Sequence, residues 1–323
     1  MTESIADIPF YGLGTWKIGK DVVEEVVFKA IVENGVRHID CASDYGNEVQ
    51  VGRGIAKAIE SGVVKREDLW ITSKLWNTYH RLEHIRPACE KSLQDLQLSY
   101  LDLYLVHFPI SLKHVPIDAR YPPEWIFDPS GPNPVIELDH EAPMHKTWEG
   151  MEQLVALGLT KRIGVANFSV QLLMDMLSYA KIKPFCNQVE LHPYLVQDAL
   201  LDFCNRFQVK CVAFSPLGSA SYIELGMDFG LKRGLLDDEK VKTIADAHGR
   251  TPAQVLLRWG VQRGTPVIPK SSSLTHLGEN VKIFDFSLSE EEMAAISSMN
   301  RNQRFNDPWV YGRFMGLPLP IFA

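Results

Sequence analysis

Short apolar segments alternate with amphipathic segments along most of the chain. The apolar segments predict strands at 37–42, 68–76, 100–108, 161–168, 185–191, 209–218 and 265–271. Between them, apolar residues recur three and four positions apart, which predicts helices at 21–35, 84–98, 145–158, 198–208 and 252–264. Gly35, Gly158 and Gly264 stand where helix C-caps are expected.

Repeated strand–helix units with short connections predict an α/β fold, specifically a (β/α)₈ TIM barrel. The chain has 323 residues, of which 46% are hydrophobic, so it can bury a large core as one barrel domain over residues 1–323. Irregular stretches at 109–143, 215–235 and 301–323 break the rhythm. Because barrel enzymes build their active face from loops, we expect these stretches to lie over it.

Charge and composition narrow the class of protein. The net charge is −7 and the cations are dispersed, so no broad basic surface for nucleic acid or anionic lipid is expected. The acidic N-terminus does not resemble a signal peptide, and no apolar run approaches membrane-spanning length. Five cysteines without a CxxC pair favour buried free thiols. We expect a cytoplasmic monomer or homodimer that acts on a small molecule, without nucleic-acid or membrane partners.

Three polar residues stand at or near the carboxyl ends of predicted strands. They are Asp40, Lys74 and His107. Because side chains alternate along a strand, the preceding residues on the same face of each strand would point into the barrel. Tyr45 follows Asp40 by five residues, close enough to fold over the barrel mouth. Four such residues at three strand ends are hard to explain by packing alone, and this is where barrels keep their chemistry.

This set of side chains is suited to carbonyl reduction, which requires a hydride on carbon and a proton on oxygen. A tyrosine can donate the proton, but its pKa of about 10 makes it a weak acid. We expect the Lys74 ammonium to lower the pKa of Tyr45, and Asp40 to stabilise that ammonium in a dry cavity. His107 can hydrogen-bond the carbonyl oxygen and orient the substrate.

Two weaker patterns carry no functional prediction. The G-x-G within residues 12–19 lacks the strand–turn–helix setting of a dinucleotide-binding turn. His80 and His84 have helical spacing but no third ligand, so we interpret them as surface polar residues and expect no metal site.

Seven motifs in order resemble the aldo-keto reductase family and span nearly the whole chain. They are GLGTWKIG (12–19), HIDCASDYGNE (38–48), ITSKLWN (71–77), LDLYLVHFP (101–109), GVANF (164–168), NQVELHPY (187–194) and VIPKSS (267–272). Segments 113–123 and 304–309 most resemble the xylose (aldose) reductases. Segment 147–159 is also similar to the aldose-6-phosphate reductases.

The resemblance implies a role for each matching position. Asp40, Tyr45, Lys74 and His107 would be the catalytic residues, with Tyr45 as the acid. The implied substrate contacts are Trp16, Asp44, Trp76, Phe108 and Asn306. The implied cofactor contacts are Asn167, Gln188, Phe214, Ser215, Leu217, Glu224, Lys270, Ser271, Ser272, His276, Glu279 and Asn280.

Several of these positions depart from the family pattern. Ala166 replaces the usual Ser and loses one hydrogen bond, while Phe214 replaces a Tyr whose ring face suffices for stacking. Lys270 matches a residue that binds the NADPH 2′-phosphate, but His276 stands where an Arg is common. Glu224 lies where NADH-using relatives place a carboxylate for the ribose hydroxyls. We therefore expect use of both NADPH and NADH.

The leading prediction is NAD(P)H-dependent reduction of an open-chain aldose such as D-xylose to its alditol. An alternative is an aldose-6-phosphate reductase, for which Lys17, Lys20 and Lys113 are candidate phosphate-binding cations. An alternative of another class is a nicotinamide-binding regulatory subunit without turnover. A complete set of catalytic residues argues against this last reading, because a binding role needs no proton donor.

Overall fold

A single parallel sheet forms the centre of the molecule. The computed structural model describes residues 7–227, 229–230 and 234–322. Seven strands pair in the order β1 to β7, and each runs parallel to the next. They are β1 Leu13–Gly14, β2 His38–Asp40, β3 Trp70–Leu75, β4 Leu103–Val106, β5 Ile163–Ala166, β6 Cys186–Glu190 and β7 Lys210–Phe214.

The segment at 265–270 closes this sheet into a barrel. On one side Ile268 N donates to Ala213 O of β7 (3.1 Å), and on the other Gly12 N donates to Val267 O near β1 (2.9 Å). The predicted strand at 265–271 is therefore present as separate bridges. Pro266 and Pro269 interrupt its ladder because proline has no backbone N–H. The predicted (β/α)₈ barrel is confirmed.

Strand β1 was not among the predicted strands. It contains only two residues, one of which is a glycine, so it has no alternating pattern to detect. Gly14 is required there, because a Cβ would lie 2.8 Å from the carbonyl oxygen of Ile268. The close approach of these two backbones completes the barrel.

Helices surround the sheet on its outer side. The five predicted helices are present within about three residues of their predicted ends, and Gly35, Gly158 and Gly264 have the positive φ of C-cap glycines. The helices are α1 Val23–Val32, α2 Glu48–Glu60, α3 Leu82–Leu96, α4 Met144–Ala156, α5 Val170–Tyr179, α6 Asp198–Phe207, α7 Ala220–Ile223, α8 Glu239–His248, α9 Pro252–Gln262, α10 Leu274–Asn280, α11 Glu290–Ser297 and α12 Pro308–Tyr311.

The three predicted loops contain little regular structure. Helix α7 lies in the second loop and α12 in the third. Of the loop predicted at 215–235, residues 228 and 231–233 lie outside the described part of the chain, as do residues 1–6 and 323 of the predicted domain. In the described part, no helix combines the length and apolar character needed to cross a bilayer.

Two apolar layers position the site. A compact cluster that includes Trp70, Leu103, Leu105, Val212 and Ile268 fills the barrel interior. A larger layer packs the strands against the helices, and the five cysteines are buried and free. Because apolar side chains fill the interior, the polar groups at the carboxyl ends of the strands lie at the mouth of the barrel, next to the loops.

Candidate active site

The strand register brings the predicted catalytic residues to one end of the barrel. Asp40 is the last residue of β2, Lys74 is the penultimate residue of β3, and His107 directly follows β4. Tyr45 ends a short 3₁₀ turn, Ser43–Tyr45, after β2. Neighbouring parallel strands end at the same edge of the sheet, so these four side chains converge.

Lys74 is the centre of the polar cluster. Its Nζ donates to Asp40 Oδ1 (2.5 Å), to the Cys41 carbonyl (2.7 Å) and to Tyr45 Oη (3.1 Å). Gln188 Nε2 donates to the other oxygen of Asp40 (2.7 Å). The Lys74 side chain is buried, so its three N–H donors are satisfied by protein alone. Because Tyr45 Oη accepts from Lys74, its own proton is free to be donated elsewhere.

The ionisation of Tyr45 differs from the sequence-based expectation. Burial raises the pKa of Tyr45 to about 12, and this effect exceeds the lowering by Lys74, which the nearby Asp40 carboxylate also opposes. The prediction of a net lowering was therefore wrong, because desolvation of a phenolate outweighs one ammonium. Tyr45 is protonated at neutral pH, as a proton donor must be, and Lys74 stabilises the phenolate as the proton leaves.

The charge state of Lys74 follows from its carboxylate partner. Burial alone lowers the pKa of Lys74, but the attraction of Asp40 and the contacts with Tyr45 outweigh burial and raise it. Lys74 is thus an ammonium at any physiological pH. Asp40 has the predicted stabilising function.

His107 is a neutral imidazole. Burial, and then the charge of Lys74, hold its pKa well below the usual value. Its ring meets the rings of Tyr45 and Trp76 edge to face, at centroid separations of 5.8 and 5.2 Å. The His107 carbonyl accepts from Asn167 Nδ2 (2.8 Å), which connects the ends of β4 and β5. A neutral imidazole can donate a hydrogen bond to a carbonyl oxygen without adding charge.

A cavity of about 880 Å³ opens over this cluster. Asp40, Tyr45 and His107 line it, while Lys74 lies outside the lining and contacts Asp40 and Tyr45. Every residue predicted as a substrate contact also lines it: Trp16, Asp44, Trp76, Phe108 and Asn306. The structure thus brings the two predicted groups together.

Aromatic residues in the loops complete the cavity wall and were not predicted individually. Trp125 packs against Trp76 (5.1 Å), Phe108 (5.2 Å) and Tyr311 (5.4 Å) between ring centroids. Tyr222 packs against Trp16 at 5.4 Å. For Trp125 and Tyr311, the aromatic content of residues 109–143 and 301–323 was the only signal in the sequence, and it could not indicate which rings face inward.

The same cavity extends to every residue predicted to contact the cofactor. Asn167, Gln188, Phe214, Ser215, Leu217 and Glu224 line it near the catalytic cluster and along the loop after β7. The residues at the end of the closing segment and after it also line the cavity: Lys270, Ser271, Ser272, His276, Glu279 and Asn280. A cation, hydroxyls and a partly exposed aromatic ring in one cavity suit a nicotinamide dinucleotide.

Asn167 provides a direct test of this fit. Its Oδ1 is buried and has no hydrogen-bond partner among the described residues, although its Nδ2 is bonded. A buried acceptor without a donor is costly, and the nicotinamide carboxamide would supply the N–H. Asn167 has φ of 65°, a left-handed conformation that Asn tolerates, and its N–H donates to Gln188 O (2.9 Å). The residues present fit the cofactor.

An ion-pair bridge joins two loops beside the cavity. Lys17 Nζ, after β1, contacts Glu224 Oε2 (3.0 Å) and the Ser221 carbonyl (2.5 Å), after β7. Lys270 lies 3.9 Å from the same carboxylate. The hydrogen bond from Lys17 lowers the pKa of Glu224, so Glu224 is an ionised and paired carboxylate.

The candidate phosphate-binding cations are not gathered at the mouth. Lys113 pairs with Glu137 (2.9 Å) on the surface and does not line the cavity, and Lys17 is held by Glu224. Lys20 also lies outside the lining residues. None of the three candidate cations of the sugar-phosphate alternative therefore lines the cavity.

One further expectation requires correction. His80 is buried, with Nδ1 3.1 Å from Ser111 Oγ, so it is not a surface residue. It precedes α3 and its side chain lies under the loop at 109–143, which the periodicity could not reveal. His84 stacks on His114, at 3.5 Å between centroids. Within the described residues, no cluster of three or more His, Cys, Asp or Glu is placed to hold a metal ion.

Comparisons with known proteins agree with the fold. The model of the aldo/keto reductase family matches residues 11–301. The chain belongs to this family, and the resemblance seen in its motifs is confirmed.

Individual relatives cover nearly the whole chain. It is 45% identical to the probable NAD(P)H-dependent D-xylose reductase of Aspergillus clavatus, over 98% of this chain and 96% of the relative. It is 46% identical to the NAD(P)H-dependent D-xylose reductase of Aspergillus niger, with the same coverage. The solved aldose reductase of Schistosoma japonicum is 38% identical, with a TM-score of 0.85 over 98% of this chain and 96% of that one.

Proposed function

We propose that the protein is an NAD(P)H-dependent reductase that converts an open-chain aldose, such as D-xylose, to its alditol. The observation that carries the proposal is the contact of Lys74 with both Asp40 and Tyr45 at the floor of the cavity. The names of the relatives support the substrate class and the use of both cofactors. The polar rim residues Asp44 and Asn306 supply hydrogen-bonding groups for sugar hydroxyls.

The chain's own residues then divide the work of reduction. Asn167 and Gln188 would hold the carboxamide of NADPH or NADH, and Lys270 would hold its adenosine end. The cofactor, when bound, would supply the hydride. His107 donates a hydrogen bond to the substrate carbonyl and fixes its orientation. Tyr45 donates its proton to the oxygen as negative charge develops there, and Lys74 stabilises the phenolate that remains. Trp76 and Phe108 exclude water from the reacting carbonyl.

We also propose that the protein works in the cytoplasm as a single barrel domain, either monomeric or dimeric. Its targets are small sugars or aldehydes. Sedimentation of the purified protein decides the oligomeric state.

A substrate screen tests the proposed activity. D-xylose, D-glucose, mannose 6-phosphate and butanal are each offered with NADPH and with NADH. We expect xylose turnover with both cofactors. The KM for mannose 6-phosphate should be no lower than the KM values for D-xylose and D-glucose. A KM at least tenfold lower for the phosphate ester would favour the sugar-phosphate reductase. Strict dependence on NADPH would defeat the dual-cofactor proposal, and tight cofactor binding without any turnover would favour the regulatory subunit.

The pH dependence of sugar binding should report on Asp44. Burial, with a further contribution from Glu124, raises the pKa of Asp44 to about 7. Asp44 is neutral below that pH and becomes a carboxylate, the stronger hydrogen-bond acceptor, above it. We therefore expect the KM for D-xylose to fall by up to about tenfold from pH 6 to pH 8, following the ionised fraction.

The Asp44→Asn variant is the control for this profile. Its KM for D-xylose should not vary across the same range, and the KM for butanal, which has no hydroxyls, should be flat in both proteins. A wild-type profile that persists in Asp44→Asn would assign the titration to another group.

Cofactor choice should depend on Lys270. Its cationic side chain lines the adenosine end of the cavity, so Lys270→Met should raise the KM for NADPH by about tenfold or more, the size of a lost charge-assisted bond. The KM for NADH should change less than threefold, because NADH has no 2′-phosphate. Lys282→Met is the matched control, since Lys282 is exposed and does not line the cavity. Equal rises for both cofactors would contradict this role.

A further inference from the structure

A fully buried carboxylate lies behind the substrate end of the cavity. Glu190 is the last residue of β6 and has no solvent exposure. Its Oε1 accepts from the backbone N–H of Phe305 (2.8 Å) and from His192 Nε2 (2.8 Å), and its Oε2 accepts from the backbone N–H of Asn306 (2.8 Å). One side chain thus holds two consecutive amides of the C-terminal loop.

Neighbouring contacts fasten the same part of the loop to the barrel. The Tyr194 carbonyl accepts from the backbone N–H groups of Arg301 (3.1 Å) and Gln303 (2.9 Å). The ring of Phe305 is buried and stacks on His192 at 5.0 Å between centroids. These contacts fall on the second half of the NQVELHPY motif, which the proposed catalytic mechanism does not use.

The geometry makes Glu190 an orienting group for the next residue of the cavity wall. Asn306 lines the cavity, and its backbone is fixed by the Glu190 carboxylate. Charge-assisted hydrogen bonds are short and strong, so a buried carboxylate defines the position of both amides closely. A displacement of about 1 Å at such a position is enough to impair substrate alignment.

We propose that Glu190, supported by His192, is a positioning residue for sugar recognition. It acts through the backbone of Asn306, whose side chain it holds in reach of the substrate hydroxyls. The inference rests on the proposed function, because it assumes that the substrate is a polyhydroxylated aldehyde. It concerns substrate binding only, since Glu190 does not touch the reacting atoms.

The Glu190→Gln variant tests the proposal by a split between kinetic constants. All the groups that contact the Glu190 carboxylate are N–H donors, so the NH₂ group of a glutamine must face at least one of them. We expect this clash to shift the loop, while the packing volume of the side chain is kept. We expect the KM for D-xylose to rise about tenfold or more, with kcat changed less than threefold. For butanal, kcat/KM should stay within threefold of wild type, because no hydroxyl is recognised. Combined with Asn306→Ala, the effects should not add.

Glu292→Gln is the matched control. Glu292 accepts from His248 Nε2 (2.9 Å) and from the backbone N–H of Ser289 (2.8 Å), the same chemistry on α11 and away from the cavity. Its D-xylose KM should be unchanged. If Glu190→Gln does not fold, His192→Leu replaces it and should raise the xylose KM, whereas His192→Gln, which retains an N–H donor, should restore most of it.

A substrate-independent measurement separates this inference from the proposed function. Hydrogen exchange of a peptide covering residues 301–308 should be at least tenfold faster in Glu190→Gln than in wild type or Glu292→Gln. If wild type does not reduce D-xylose, the proposed function fails. The exchange result still shows whether Glu190 holds the backbone of residues 305 and 306. An unchanged xylose KM in folded Glu190→Gln, or parallel losses for xylose and butanal, would overturn the positioning role.

Discussion

Tyr45→Phe should reduce kcat/KM for D-xylose by about 10²–10⁴-fold, the usual contribution of a positioned general acid. The variant loses one hydroxyl and keeps the ring that packs against His107. Among the described residues, the Tyr45 hydroxyl is the only one within hydrogen-bond distance of the Lys74 ammonium, so no second acid supported by the ammonium is at hand. Steady-state rates with saturating NADPH measure the loss.

Cofactor binding provides the control for Tyr45→Phe. Titration of tryptophan fluorescence should give a dissociation constant for NADPH within about twofold of wild type, because the residues assigned to the cofactor are untouched. Parallel losses of turnover and of NADPH affinity would show a general collapse of the cavity. Turnover within tenfold of wild type would remove Tyr45 from the role of acid.

Lys74→Met should have the second large effect, on both activity and stability. The ammonium satisfies Asp40, Cys41 and Tyr45 at once. Its removal leaves Asp40 buried as a charge, with Gln188 as its only side-chain donor among the described residues. Removing one partner of a buried ion pair costs about 3–5 kcal/mol of stability. We also expect kcat/KM to fall by about 10²–10⁴-fold, because the phenolate left by proton donation loses its counter-charge. Denaturant unfolding and steady-state kinetics measure the two losses.

The double variant Lys74→Met with Asp40→Asn separates these two consequences. It removes both charges, so most of the lost stability should return while activity stays low. Recovery of activity together with stability would mean that the pair serves the fold alone. Persistent instability would instead indicate that the hydrogen bonds of the ammonium, rather than its charge balance, hold this end of the barrel.

The convergence of the catalytic cluster could be predicted because it depends on two simple geometric rules. Alternation along each strand placed Asp40, Lys74 and His107 on the inner face, and parallel strands end at a common edge. The family motifs supplied the predicted cofactor and substrate contacts, and all of these residues line one cavity. None of these inferences required knowledge of a distant contact.

What could not be predicted depends on packing between distant segments. Strand β1 is too short to show a periodic pattern. Its pairing with residues 265–270 joins the two ends of the sheet, which are far apart in the sequence. The pKa of Tyr45 is set mainly by burial, whose extent is a property of the whole cavity. In the sequence, Glu190 is a single acidic residue at the end of a strand. The backbone N–H groups that it binds lie more than 100 positions away. Lys113 similarly found a surface partner in Glu137.

Transfer of deuterium from labelled cofactor to product tests the central claim most directly. NADPH carrying two deuterium atoms at C4 of the nicotinamide is mixed with D-xylose and excess enzyme for one turnover, and the alditol is analysed by NMR. We expect wild type to give xylitol with one deuterium at C1, and Tyr45→Phe to give the same product at least a hundredfold more slowly. Xylitol without deuterium, or equal rates in the two proteins, would contradict reduction by this Lys74–Tyr45 pair.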